Sequence, residues 1–186
     1  MGRNERRCGQ LVVLTGALLA AATILGGCFQ PLYGERTASG GSGLREALSA
    51  VEVSPIAAVP NSSTARLAVQ IRNDLMFNFT GGGYAPPASH RLKVDISGGS
   101  QVLATNPVTG TPSIQNYTLN ASYTLVEIAS GKSVIAGRTA TTVSNTPSGA
   151  QRFASASGLR DAESRAAKAI SENITTRLAS YFVSGT

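Results

Sequence analysis

Cys28 and His90 are the side chains best suited to nucleophilic or acid–base work in this sequence, and they do not make a set. His90 is the only histidine. A thiol or serine nucleophile needs a base within hydrogen-bond reach and a third group to orient that base. One histidine standing alone gives no Ser-His-Asp or Cys-His arrangement. Metal ligation needs clustered His, Cys, Asp or Glu at short spacings, and the carboxylates here are scattered. Gly81-Gly82-Gly83 and Gly98-Gly99 are not followed by Lys-Ser/Thr, so they are turn and helix-stop signals rather than phosphate loops. No enzyme activity, cofactor or metal is expected. What remains is anion chemistry. Arg91, Lys93, Lys132 and Arg138 can pair with phosphates through charge-assisted hydrogen bonds if the fold brings them to one surface. They are the candidate ligand-binding residues.

Cys28 takes its meaning from what precedes it. Arg3, Arg6 and Arg7 open the chain, and Leu11 to Leu25 carries no charge. A basic start and a 15-residue apolar run have the layout of a secretory signal peptide, and the run is short of the ~20 residues a spanning helix needs. Leu25-Gly26-Gly27-Cys28 resembles the lipobox of bacterial lipoproteins. That resemblance implies cleavage before Cys28, a diacylglycerol thioether on its sulfur and an acyl chain on its new amino group. Several acyl chains together give the stable anchoring that one cannot. Phe29, not the Asp that in lipoprotein families often marks inner-membrane retention, follows the cysteine, so the resemblance implies sorting to the outer membrane. The expected division is a cleaved leader over 1–27, a lipidated N-terminus and tether over 28–43, and one domain over 44–186.

The mature chain then holds no second cysteine, so it has no disulfide even in an oxidising compartment. The whole chain has 16 Lys and Arg against 10 Asp and Glu. Arg3, Arg6, Arg7 and Glu5 leave with the leader, so 13 face 9. This mild positive balance has no run of like charge suited to nucleic acid.

The elements that must position the cations follow from periodicity. Residues 35–43 lack apolar spacing and form the tether. Val51 and Val53 alternate with Glu52 in a strand within 48–56. Leu67, Ile71, Leu75 and Phe79 recur every four residues, one stripe of a helix over Thr64–Phe79. Leu92, Val94 and Ile96 alternate with Arg91, Lys93 and Asp95, a strand with one apolar and one charged face. Residues 98–112 hold three Gly and two Pro, giving a long loop or a bent strand. Two β-rich segments follow, joined at Ser130-Gly131 by a tight two-residue turn. Tyr117, Leu119, Tyr123 and Leu125 share one face, where both tyrosines serve ordinary sheet packing. Lys132 and Arg138 are six apart after that turn and so point to one side of the sheet. Ala166, Ile170, Ile174, Leu178 and Phe182 mark a closing helix over 159–183, with Asp161 and Glu163 in its first turn, where the helix dipole favours them. The order β-α-β-β-β-α predicts an α+β domain, two helices on one face of a four-stranded, mostly antiparallel sheet. Whether the side of Lys132 and Arg138 is the side of Arg91 depends on a register that the sequence does not state.

The segment CFQPLYG, Cys28 to Gly34, resembles the start of the LptE-type lipopolysaccharide-assembly lipoproteins of alphaproteobacteria, without the Gly that usually stands between Cys and Phe. AVEVSPI (50–56), ARLAVQIRNDL (65–75), ASYTLVEIASGKSVIAGR (121–138) and LASYF (178–182) agree with that family in layout. The resemblance implies a lipid-anchored protein on the periplasmic side of the outer membrane. It would plug and help assemble the LptD β-barrel translocon and bind lipopolysaccharide on its way to the outer leaflet. The alternative is an accessory envelope lipoprotein that scaffolds a transport or peptidoglycan-synthesis complex.

Overall fold

The computed structural model describes residues 43–147 and 151–184. The expected leader, Cys28 and the expected tether up to residue 42 lie outside the described residues. The described chain runs α1 (Leu44–Ser49), β1 (Val51–Val53), α2 (Ser63–Thr80), β2 (His90–Thr105), β3 (Pro112–Glu127), β4 (Ser133–Asn145) and α3 (Arg152–Ser184). The strands form one sheet in the order β1-β2-β3-β4. β1 runs parallel to β2, and the other two pairings are antiparallel. This is the α+β class expected from the periodicity, with three helices rather than two.

The extra helix is α1, which replaces the first part of the strand expected over 48–56. Leu44 and Leu48 are four apart and both buried, so six residues suffice for one apolar contact stripe. β1 shrinks to three residues. α2 matches its stripe closely. Ser62 caps it by accepting from the Ala65 N–H at 3.0 Å, and Gly81, at φ 63°, ends it in the left-handed conformation, which glycine adopts without a Cβ penalty.

α3 begins at Arg152, seven residues before the expected start. Asp161 and Glu163 therefore sit well inside the helix, and the dipole account of them fails. Glu163 is instead buried, with an ion pair to Arg66 of α2. Gly158 allows this longer helix to pass the end of β4. A Cβ there would lie 2.8 Å from the Asn145 Oδ1.

The helices cover the face carrying Leu92, Val94, Leu119, Tyr123 and Leu125, and with Leu67, Ile71, Leu75, Ile170, Ile174 and Leu178 these make the core. The two core tyrosines lie over glycines of neighbouring strands. A Cβ at Gly137 would fall 2.7 Å from the Tyr123 Cζ, and one at Gly98 would collide with the Tyr117 hydroxyl. Aromatic rings thus fill space the glycines leave open.

Residues 98–112 prove to be mostly strand. β2 continues to Thr105, with register shifts around Leu103, the bent-strand form of the expectation. Gly98 to Leu103 are exposed, so the far part of the β2–β3 hairpin projects beyond the helices as an arm. No charged residue occurs from Ile96 to Val126. The turn between β3 and β4 spans 128–132 rather than two residues. Gly131, at φ 69°, donates to the Glu127 carbonyl at 2.8 Å, and the Glu127 N–H donates to the Lys132 carbonyl at 2.9 Å.

Candidate functional site

The register decides which cations meet. Directly opposed residues of neighbouring strands point to the same face. Asp95 opposes Ser122, and Ser122 opposes Arg138. Lys93 opposes Thr124, which opposes Ala136. Glu52 opposes Arg91. Arg91, Lys93 and Arg138 therefore share the sheet face that the helices leave uncovered. The alternation of β2 puts Arg91 and Lys93 there, and the partly buried Ile135, opposite core Leu125 and three residues from Arg138, assigns Arg138 to the same side.

Lys132 does not join them. It lies in the β3–β4 turn, before β4 begins, and the register shift between Leu125 and Val126 breaks the even spacing that would place it with Arg138. Its N–H donates to the Ser130 Oγ at 3.3 Å. Cys28 lies outside the described residues.

The open face is less basic than its cations suggest. The Arg91 Nε is 3.0 Å from the Glu52 Oε2, with both side chains about half exposed. Asp95 stands two positions from Lys93 and in line with Arg138. Three cations thus face two carboxylates. Between them runs a carpet of hydroxyls and amides. The Thr118 and Thr142 hydroxyls are 3.0 Å apart, and the Ser144 hydroxyl donates to the Asn116 Oδ1 at 2.8 Å. A trough of about 500 Å³ lies on this face, lined among others by Asp95, Ser97, Asn120, Ser122 and Arg138. Such a surface can hydrogen-bond sugar hydroxyls along its length and hold one phosphate near Arg138 and Lys93. The pairing of Glu52 with Arg91 escapes a reading of the sequence because it depends on β1 lying beside β2. The alternation of Glu52 between two valines is its only local signal.

Among the described residues the opposite face offers no acid–base pair. Burial pushes the Tyr117 and Tyr123 hydroxyls above the usual phenol range; the Glu163 carboxylate adds to the effect at Tyr117, while Arg66 opposes it there and Arg177 at Tyr123. Both stay protonated and serve packing. The His90 ring meets Phe182 edge-on at 5.4 Å, and its Nδ1 is 2.8 Å from the Ser89 Oγ. Among the described residues no group of three His, Cys, Asp or Glu side chains could hold a metal ion.

A protein-family model described as LptE, lipopolysaccharide-assembly, matches residues 50–178. Among solved structures, a lipoprotein from Caulobacter crescentus is 18% identical, with 77% of this chain and 97% of that chain covered at a TM-score of 0.59. A lipoprotein B from Nitrosomonas europaea is 12% identical, covering 73% and 84% at 0.53. The rare lipoprotein B from Shewanella oneidensis is 14% identical, covering 72% and 94% at 0.51. At these identities the structures speak for the fold alone. The comparison with curated proteins found no match.

Proposed function

The chain belongs to the LptE lipopolysaccharide-assembly family, and we propose from that premise a specific place for it in the envelope. Cys28, acylated on sulfur and nitrogen, anchors the protein in the outer membrane with the domain on the periplasmic side. The domain enters the lumen of an LptD-type β-barrel, plugs it and helps it assemble. There it assists lipopolysaccharide on its way to the outer leaflet without performing a chemical step.

The match over residues 50–178 carries this proposal, and the uncovered sheet face supports it. The lumen of a large barrel is polar and watered. A sheet face of Thr, Ser and Asn, with few charges and Arg91 already paired with Glu52, can lie against such a wall while its remaining charges stay in the water of the lumen. An arm without a charged residue can extend the same contact. Lys93 and Arg138 are the phosphate partners for a phosphorylated glycolipid.

Depletion of the protein in its own cells tests the role. Surface lipopolysaccharide, measured on intact cells with a headgroup-directed antibody, should fall while total lipopolysaccharide persists. Unchanged surface lipopolysaccharide after full depletion would overturn it.

A further inference from the structure

The end of the domain where the chain emerges from the tether carries a second set of exposed groups. Gly43 lines a depression with Arg45, Glu46, Ser49, Thr80 and Tyr84. Tyr84 is 90% exposed and Phe77 66%. The Phe77 ring lies over Gly82, where a Cβ would be 3.5 Å from its Cε2. The β3–β4 turn belongs to the same end. The Ile128 N–H donates to the Ser89 carbonyl at 2.9 Å, and the Ser89 N–H donates to the Ala50 carbonyl, also at 2.9 Å. Ile128 and Val183 are exposed there as well, Val183 following the Phe182 that meets His90.

We infer that, in the free lipoprotein, this end rests on the lipid surface, with Tyr84 and Phe77 at headgroup depth. The inference depends on the lipid anchor at Cys28 proposed above. The amphipathic tyrosine ring favours the membrane–water interface, and an exposed phenylalanine beside it adds apolar area that can enter the interface. Reach decides between the two ends of the domain. Fourteen residues lie between Cys28 and Gly43, so the tether spans at most ~50 Å when fully extended. The tip of the β2–β3 arm lies ~50 Å from His90 along a strand that rises ~3.3 Å per residue. Seating the arm tip on the membrane would stretch the tether to its limit. Seating the Tyr84 end asks nothing of it.

Charge gives little help at this end. Arg45 and Lys132 stand there against Glu46 and Glu127, so attachment should be apolar and insensitive to salt.

The chain contains no tryptophan, so one substitution gives a single reporter. The full lipidated protein carrying Tyr84→Trp, and separately Val108→Trp at the 91% exposed arm tip, would be placed in vesicles of phosphatidylethanolamine and phosphatidylglycerol, with and without brominated acyl chains. Tyr84→Trp should emit at shorter wavelength and lose more than half its intensity to the brominated lipid, at low and high salt alike, while Val108→Trp stays water-exposed. If the protein floats with vesicles but Tyr84→Trp is unquenched, or Val108→Trp is quenched instead, the orientation is wrong and the anchor stands. A blue shift without bromine quenching would seat this end against protein and overturn the inference. Protein that does not float at all overturns the anchor and this inference together.

Discussion

Asp95 and Arg138 stand in one line across the open sheet face, each directly opposite Ser122. They are two strands apart, about 10 Å at the usual strand spacing, and make no ion pair. Asp95 therefore lowers the local potential without occupying the guanidinium. Asp95→Asn should strengthen lipopolysaccharide binding at low salt, and Arg138→Glu should weaken it by about tenfold, the scale of one charge-assisted hydrogen bond. Lys93→Glu with Arg138→Glu should lose more. Arg91→Gln together with Glu52→Gln should matter least, since the pair removed is already neutral. Titration with the glycolipid at two salt concentrations checks this, because screening shrinks every difference. Equal binding by all variants at low salt would make the face merely solvated.

Arg66 and Glu163 hold α2 to α3. The Glu163 side chain is 7% exposed and that of Arg66 43%. Arg66 also donates to the Ser164 Oγ at 3.4 Å. Arg66→Met should cost about 1–3 kcal/mol, less than for a fully buried pair, because Glu163 is left without its partner. Adding Glu163→Gln should recover part of the loss. Urea unfolding of the three proteins measures it, and an Arg66→Met midpoint equal to wild type would contradict the account.

Asp74 bears on acid behaviour. Burial, the largest cause, raises its carboxyl above the ordinary value of 3.8; nearby Glu172 adds to this, and Lys168 and Gln70 oppose it. A raised carboxyl pKa means that the native state holds the proton more tightly than the unfolded state. The stability it contributes is full below 3.8 and is lost as pH rises through the raised value. At neutral pH the charged Asp74 is a net cost. Asp74→Asn should melt higher than wild type at pH 7, and the gap should close below about pH 4. A gap that persists in acid would contradict this.

Cys28→Ala should leave an unlipidated, uncleaved precursor, because the thioether that marks the cleavage site cannot form. Radiolabelled palmitate followed by gel analysis checks it. Label persisting on the variant would remove Cys28 as the anchor.

Long, regular features were legible before the structure. Leu67, Ile71, Leu75 and Phe79 announce α2 by period alone, and the alternation from Arg91 to Ile96 announces the uncovered face. Short and coupled features were not. α1 rests on two leucines in six residues, too few to make a period. The early start of α3 falls in Arg152–Gly158, where no apolar stripe marks it, so periodicity alone places Glu163 in a first turn that it does not occupy. Lys132 and Arg138 could be placed together only by assuming an unbroken strand, and the five-residue turn and its shifted register removed that assumption. The trough needs three strands in register, and register belongs to the fold rather than to any one segment.

Affinity purification of the tagged, full-length lipoprotein from detergent-solubilised envelopes tests the central claim most directly. The expected result is an integral outer-membrane β-barrel of the LptD type that stays bound through mild detergent and is lost when the protein is denatured. Recovery of only soluble or inner-membrane partners, with no barrel, would contradict the account.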